Sequence, residues 1–441
     1  MRALLLAEAA NPEWTSVPLV GFNQCEALRE QMDVHVVTQV RNREALLRRG
    51  WREGPDADFT AINSEPVAKP MHRVAKVMGL GSGRAWSLST GLQSIAYLYY
   101  ERVVWRTFAD RLRAGEFAAV HRITPVSPAT PSPIVAHLAR INVPFVLGPL
   151  NGGLSWPSGF ARERLREGEI WSGLRGLRRL LPGAKRTLRL ATRILVGSAS
   201  AMSELPRSVR DKAIAMPENG IHADNYPEPV RGPSRESRGP LRFTFAGRLV
   251  PCKGLELGIE ALLPLLRAGK ATLTIYGDGP ERKRLEQQAA AAGSTADGPL
   301  PAQAIEFAGW LEQPQLLARM RDSDVFLFPS IREFGGGALV EAMACGLYPI
   351  VVDYGGPPEI CADAGARIPL GPRESIVAGL RECAERLCED PTQLDELGHT
   401  AWRRAMTFSW ASKAATYESL YRELRAGRGS APAIAPGHAQ P

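Results

Sequence analysis

The stretch IREFGGGALVEAMACG, Ile331 to Gly346, sets three consecutive glycines between two glutamates and runs directly into an apolar segment. Before it, DVFLFPS closes a run of β-forming residues; after it, Gly346 precedes YPIVVD. The order reads as strand, turn, buried helix, helix stop, strand. The glycines then fall at a helix N-terminus on the C-terminal edge of a sheet. Free amides and the helix dipole attract an anion there, and the missing Cβ atoms let it come close. A phosphate or diphosphate is the natural guest. Glu333 and Glu341 are eight positions apart. A helical segment would separate them by ~12 Å of rise, beyond the ~5–9.5 Å between the carboxyls of glycosidase pairs. The spacing weighs against hydrolysis. It favours Glu341 on the sugar hydroxyls of a nucleotide and Glu333 on the group beyond the phosphates. The architectural alternative is a loop glutamate and a helix glutamate around a tight turn.

Outward from this turn, short apolar runs alternate with helix-length segments. Strands are expected at 3–9, 34–40, 118–124, 144–150 and 193–199, and again at 242–249, 271–277, 305–311, 324–330 and 348–353. Continuous apolar runs mark strands covered on both faces, as in parallel α/β sheets. PEPVRGPSRESRGP (227–240) reads as a linker. The expected architecture is α/β: two doubly wound, Rossmann-like domains facing each other across a cleft. Residues 1–226 form the first domain, joined by a C-terminal helix at 409–425, and 241–408 the second. Residues 73–113 are expected as a long helical insertion, 289–303 as a mobile loop and 427–441 as a disordered tail. Ligands of such sheets bind at strand C-terminal ends. In FAGRLVPCKG, Arg248 follows a strand end and Lys253 comes five residues later, in a loop shaped by Pro251 and Gly254. A guanidinium fork and an ammonium point charge together suit a diphosphate whose leaving-group charge must be neutralised. Either residue alone would pass as a surface cation.

Bulk composition narrows the classes. The chain has 441 residues, 44% hydrophobic and 23% charged, enough for two cores. No run reaches the ~18 apolar residues of a membrane span, and MRALLLAEAA, cut short by Glu8, Asn11 and Pro12, reads as a buried first strand. Six scattered cysteines with no CxxC pair point to free thiols in the cytoplasm, and no metal site is expected. The net charge of +8 is partly local: 161–193 is arginine-rich, interleaved with Leu, Ile and Trp171. That stretch is either a peripheral contact with anionic membrane at its inner face or a solvated helix face. Nothing matches a nucleic-acid-binding motif, and no nucleic-acid partner is expected.

The ordered set FAGRLVPCKGLE, YGDGPERKRLE (276–286), FAGWLEQPQLLARMRDSDVFLFPS and EFGGGALVEAMACGLYPIVVDYGGPPEI (333–360), with MPENGI (216–221) ahead of it, resembles glycosyltransferase family four. These are retaining nucleotide-sugar transferases of GT-B fold. The resemblance implies transfer of a sugar from a nucleotide-diphosphate donor to an acceptor hydroxyl. It implies Arg248 and Lys253 on the donor diphosphate and Glu341 on the ribose. Glu333 would hold the donor sugar and phosphate with Phe334, Gly335, Gly336 and Gly337, and Gly247 and Gly277 would complete the donor side. His121, in AAVHRIT, would face the cleft and contact the donor sugar, a lone core histidine being the alternative. Gly21 and GPLNGG, with Asn151, Gly152 and Gly153, fall on the acceptor or donor-sugar side. The family's glutamate precedes Gly-Phe-Gly; here the order is Phe334-Gly335-Gly336, and only Gly21 stands where a glycine pair usually follows the first strand. The leaving phosphate takes the acceptor's proton, so the resemblance implies no metal, no cofactor beyond the nucleotide sugar and no protein nucleophile. A glycan or lipid-linked acceptor in polysaccharide or envelope synthesis is the expected partner. A phosphorylase or a sugar-nucleotide epimerase on the same scaffold, or an inactive nucleotide-sugar-binding protein, are the rival readings.

Overall fold

The computed structural model describes residues 1–70, 86–152, 154–168, 182–229, 239–293 and 298–427. Two all-parallel sheets organise the chain. The first comprises β1 (Arg2–Ala7), β2 (Val34–Gln39), β3 (Phe59–Ile62), β4 (Phe117–Thr124), β5 (Phe145–Leu150), β6 (Arg193–Val196) and β7 (Ala213–Ala215), in the order β3-β2-β1-β4-β5-β6-β7. The second comprises β8 (Leu241–Ala246), β9 (Ala271–Tyr276), β10 (Ile305–Gly309), β11 (Val325–Phe328), β12 (Tyr348–Asp353) and β13 (Ala366–Pro369), in the order β10-β9-β8-β11-β12-β13. All eight residues of β4 and all four of β11 are buried, as helices on both faces require. The order reverses between β1 and β4 in one sheet and between β8 and β11 in the other. Each reversal opens a crevice at the strand C-termini.

Several expectations are revised. The short edge strands β3, β7 and β13 were not foreseen. The segment expected as an insertion supplies instead the crossover from β3 to β4, since Trp86–Arg113 is a single helix between them. Its Tyr97, Tyr100, Val104, Phe108 and Leu112 lie in the first core, and the Tyr100 hydroxyl donates to the Val37 carbonyl at 2.7 Å. Of the expected loop 289–303, the first four residues complete the helix Arg282–Ala292. Residues 71–85, 169–181, 230–238 and 428–441 lie outside the described residues, and with them most of the linker, the centre of the basic stretch and the tail. Among the described residues no helix is long and apolar enough to cross a membrane.

Label α1 the helix Val17–Gln31, α2 Trp86–Arg113, α3 Gly337–Ala344 and α4 Trp410–Gly427. Helix α4 returns to the first sheet, where Trp410, Ala414, Tyr417, Tyr421 and Leu424 share a core with β1, β2 and α1. The chain re-enters the first domain beside the place where it left: Trp410 N–H donates to Ile221 O and Ile221 N–H to Phe408 O.

A second connection runs the other way. After β5, residues 154–168 leave the first sheet and pack on the second domain. Phe160, 2% exposed, lies in the second-domain core. Arg332 donates to Leu154 O and the Tyr354 hydroxyl to Ser155 O. Arg166 bridges Glu256 and Glu281, and the Cys252 amide donates to Glu167. The span 1–226 therefore includes a strap whose packing partners are in the other domain. Phe160→Ala is expected to cost about 3 kcal/mol, the scale of a buried aromatic truncation. Urea unfolding read by circular dichroism checks this, and an unchanged midpoint would show the strap to be undocked.

Candidate active site

The site forms where β8 and β11 end side by side at the second sheet's reversal. Strand β8 runs out at Gly247, whose carbonyl would collide with any Cβ on Gly277, itself at φ +128°. Two backbones thus touch at the edge, and only glycine permits it. Arg248 follows, exposed to solvent. Pro251–Lys253 makes one tight turn closed by Gly254 in the left-handed region. A Cβ on Gly254 would strike the Pro329 carbonyl, so the loop lies directly on the end of β11, where Ile331 N–H bonds Cys252 O at 3.0 Å. That contact brings Lys253 against Glu333.

Lys253 and Glu333 form an ion pair, with the ammonium 5.1 Å from the Phe328 ring centroid. Burial by itself would lower the Lys253 pKa, but attraction to Glu333 turns the net shift upward despite repulsion from nearby Arg248. Burial would likewise raise Glu333; Lys253 and the turn amides bring it below the ordinary carboxylate value. Glu333 Oε1 accepts from the amides of Phe334 at 3.2 Å and Gly336 at 3.4 Å. The anion-binding turn at the start of α3 is thus lined with donors, and its own carboxylate occupies them. Gly336 is the left-handed residue preceding α3, and Gly337 is its first residue. The turn rests on Gly355 and Gly356: Cβ atoms there would strike the carbonyls of Glu333 and Phe334. One turn of α3 further on, Glu341 accepts from Gln313 Nε2 at 2.5 Å, and burial raises its pKa. Arg248 makes no ion pair among the described residues, which leaves its charge open to a ligand.

The first domain faces this turn with the loop after β7. Lys413, buried on α4, donates to the carbonyls of Pro217 and Asn219, and burial lowers its pKa to about 7. Asn219 borders Gly335 and Gly337, and Glu218 abuts Gly335. Asn151 lies close by: its side chain hydrogen-bonds Glu218 and accepts from the Gly152 amide at 2.7 Å. Gly152 is at φ +112°, and Gly153 lies outside the described residues.

Two expected site residues are placed elsewhere. His121 is fully buried, not in the cleft. Its Nε2–H donates to the Gly148 carbonyl, which can only accept, so Nδ1 accepts from the Tyr421 hydroxyl. Both ring nitrogens are spent on joining α4 to β4 and β5. Gly21 lies inside α1, buried, where a Cβ would collide with the Ala9 carbonyl. It serves helix packing and offers no amide to a ligand. Glu218, Asn219, Gln313 and Lys413 were not singled out from the sequence. MPENGI carried the signal for the first two; nothing local marks Gln313 or Lys413. Trp310, 58% exposed at the end of β10, also went unremarked.

Residues 229–398 match the family model for glycosyl transferases group 1. Glycogen synthase of Mycobacterium tuberculosis is 30% identical over 211 residues, 47% of this chain and 48% of that protein. The 2-deoxystreptamine glucosyltransferase of Streptomyces kanamyceticus is 34% identical over 155 residues, 35% of this chain and 37% of that one. The chain thus spans about half the length, or less, of these curated relatives. Among solved structures, Anabaena HepE in complex with UDP superposes at a TM-score of 0.61, covering 96% of this chain and 100% of that one at 17% identity. Residues 229–398 thus resemble the glycosyl transferases group 1 family, and the two-domain architecture is the GT-B fold.

Two outcomes follow from the packing. Gly356→Ala should push the Phe334 carbonyl and deform the amide turn, lowering affinity for a nucleoside diphosphate at least about tenfold, as loss of one or two charge-assisted hydrogen bonds would; calorimetric titration with UDP measures this. Burial lowers the His121 pKa from 6.5 to about 4. Its neutral ring therefore contributes stability that is whole above about pH 6.5 and is lost as pH falls toward 4 and below, up to about 3 kcal/mol. His121→Gln should be less stable at pH 7 yet lose less between pH 7 and 4, as urea midpoints across pH would show.

Proposed function

We propose that this protein is a retaining glycosyltransferase that moves a hexose from a nucleotide-diphosphate sugar to an acceptor hydroxyl. The observation that carries the reading is the convergence of Arg248, Lys253 and the amides of Phe334 and Gly336 at one sheet reversal. The relatives' names, glycogen synthase and a glucosyltransferase, and the neighbour solved with UDP support a nucleotide-sugar donor. In this reading the diphosphate enters over the turn and displaces the Glu333 carboxylate, which turns to the donor sugar. Arg248 and Lys253 take the growing charge of the departing diphosphate, the role a metal fills elsewhere. Glu341, kept from full ionic solvation by burial, holds the ribose hydroxyls. A front-face reaction needs charge stabilisation and the orientation of two substrates, with the leaving phosphate accepting the proton. The acceptor is a glycan or lipid-linked sugar of polysaccharide or envelope synthesis. The exposed Lys185, Arg186 and Arg189 on the helix Pro182–Leu190 support a peripheral contact with anionic lipid.

Thermal stabilisation by UDP-, GDP- and ADP-sugars, followed by the anomeric configuration of the product by NMR, tests donor and stereochemistry together. An inverted product would remove the retaining assignment, and loss of activity in EDTA would remove the metal-independent one. Arg248→Ala is expected to lower turnover at least ~10²-fold, the scale of one lost oxyanion donor. Near wild-type turnover in that variant would overturn the site.

A further inference from the structure

We propose that Glu218 is a third carboxyl of this site and that its free oxygen hydrogen-bonds a hydroxyl of the transferred sugar. The assignment rests on the donor-site reading above and adds a residue from the opposite domain. The loop Met216–Ile221 leaves β7 at the C-terminal edge of the first sheet, and the Met216 amide is still bonded to Val196 O at 2.7 Å. Lys413 pins it from beneath through the carbonyls on either side of Glu218. With those carbonyls held, the Glu218 side chain lies against the amide turn. Its Oε1 sits where a Cβ of Gly335 would be, a contact that only a glycine in the turn permits.

The two carboxyl oxygens differ. The group has the Asn151 hydrogen bond, while Oε2 is buried with no hydrogen-bond partner among the described residues. Such an oxygen costs free energy until something bonds it, so native structures rarely leave one without a use. The Lys413 ammonium does not fill the need, being committed to Pro217 and Asn219. The two charged groups acting on Glu218 are Glu333, which disfavours its ionised form, and Lys413, which favours it. Burial is the largest influence and lifts its pKa to about 7, so near neutral pH the carboxyl can donate as well as accept. A polyhydroxyl ligand suits a group with both capacities. It would lie between Glu333, the Gly335 turn and the first-domain loop, which is where the sugar beyond the diphosphate must sit.

Calorimetric titration of wild type, Glu218→Ala and Glu218→Gln with UDP and UDP-glucose, with GDP and GDP-mannose, and with ADP and ADP-glucose, tests the assignment. The alanine variant should lose about tenfold in affinity for the nucleotide sugar that wild type binds, with less than twofold change for the matching diphosphate. The glutamine variant keeps shape and hydrogen-bonding capacity and should lose less than threefold. Retained diphosphate affinity in the alanine variant shows that its loss is not general unfolding. Unchanged sugar-nucleotide affinity in Glu218→Ala, or equal losses for sugar nucleotide and diphosphate, would overturn the proposal. If wild type bound none of UDP, GDP and ADP, the donor-site reading would fall and this assignment with it.

Discussion

Lys253 meets Glu333 only because Gly254 can lie on the Pro329 carbonyl, and the rest of the site is arranged around that ion pair. A buried pair is a poor source of stability by itself, since desolvation of both ions offsets most of their attraction. Here the carboxylate also accepts from two turn amides, which makes the charge affordable without further partners. The consequence is mechanical. Two loops from neighbouring strands are tied together, one carrying cations and the other amides, so the groups that would surround a diphosphate are in place before it arrives. Such preorganisation removes the cost of ordering the two loops on binding, leaving only the displacement of the Glu333 carboxylate.

The domains are coupled more closely than a single linker would make them. The strap 154–168 carries an aromatic side chain from the first domain into the second core, and α4 carries the chain back to cover β4. Arg332 joins these regions to the site. It donates to Leu154 O and lies between the rings of Trp156 and Phe334, so the strap touches the residue next to Glu333. Any movement that opens the cleft must either carry the strap along or undock it. The strap therefore ties the two domains through a contact that ends at the anion-binding turn itself.

The central strands were legible because burial on both faces forces continuous apolar runs, as in LLLA of β1 and VFLF of β11. Edge strands carry no such demand: FTAI, AIA and ARIP are too short and too mixed to stand out. The turn was legible because glycine at a strand-to-helix junction has few other uses, and Arg248 and Lys253 because they follow a recognisable strand end. His121 misled for a physical reason. A position within a central strand does not say which face the side chain takes, and its partner Tyr421 lies 300 residues away. Glu218 was hidden differently. Its surroundings come from Asn151, the Glu333–Gly335 turn and Lys413, three separate parts of the chain, so no local pattern could show its burial.

The occupied state of the turn bears on selectivity. An anion-binding turn with free amides and an unpaired lysine would draw inorganic phosphate and any nucleotide, in proportion to charge alone. With Glu333 in the turn, an incoming anion must break a charge-assisted pair before it gains the amides, so a single phosphate gains little from the exchange. A diphosphate extended by a sugar on one side and a ribose on the other regains what is lost. In the proposed reading Arg248 would offer an open cation, Glu341 would meet the ribose, and the displaced Glu333 would find hydroxyls to bond. On that reading discrimination would arise from the ligand's length as well as its charge, because only a molecule that reaches from Glu341 to Glu333 could satisfy every group it disturbs.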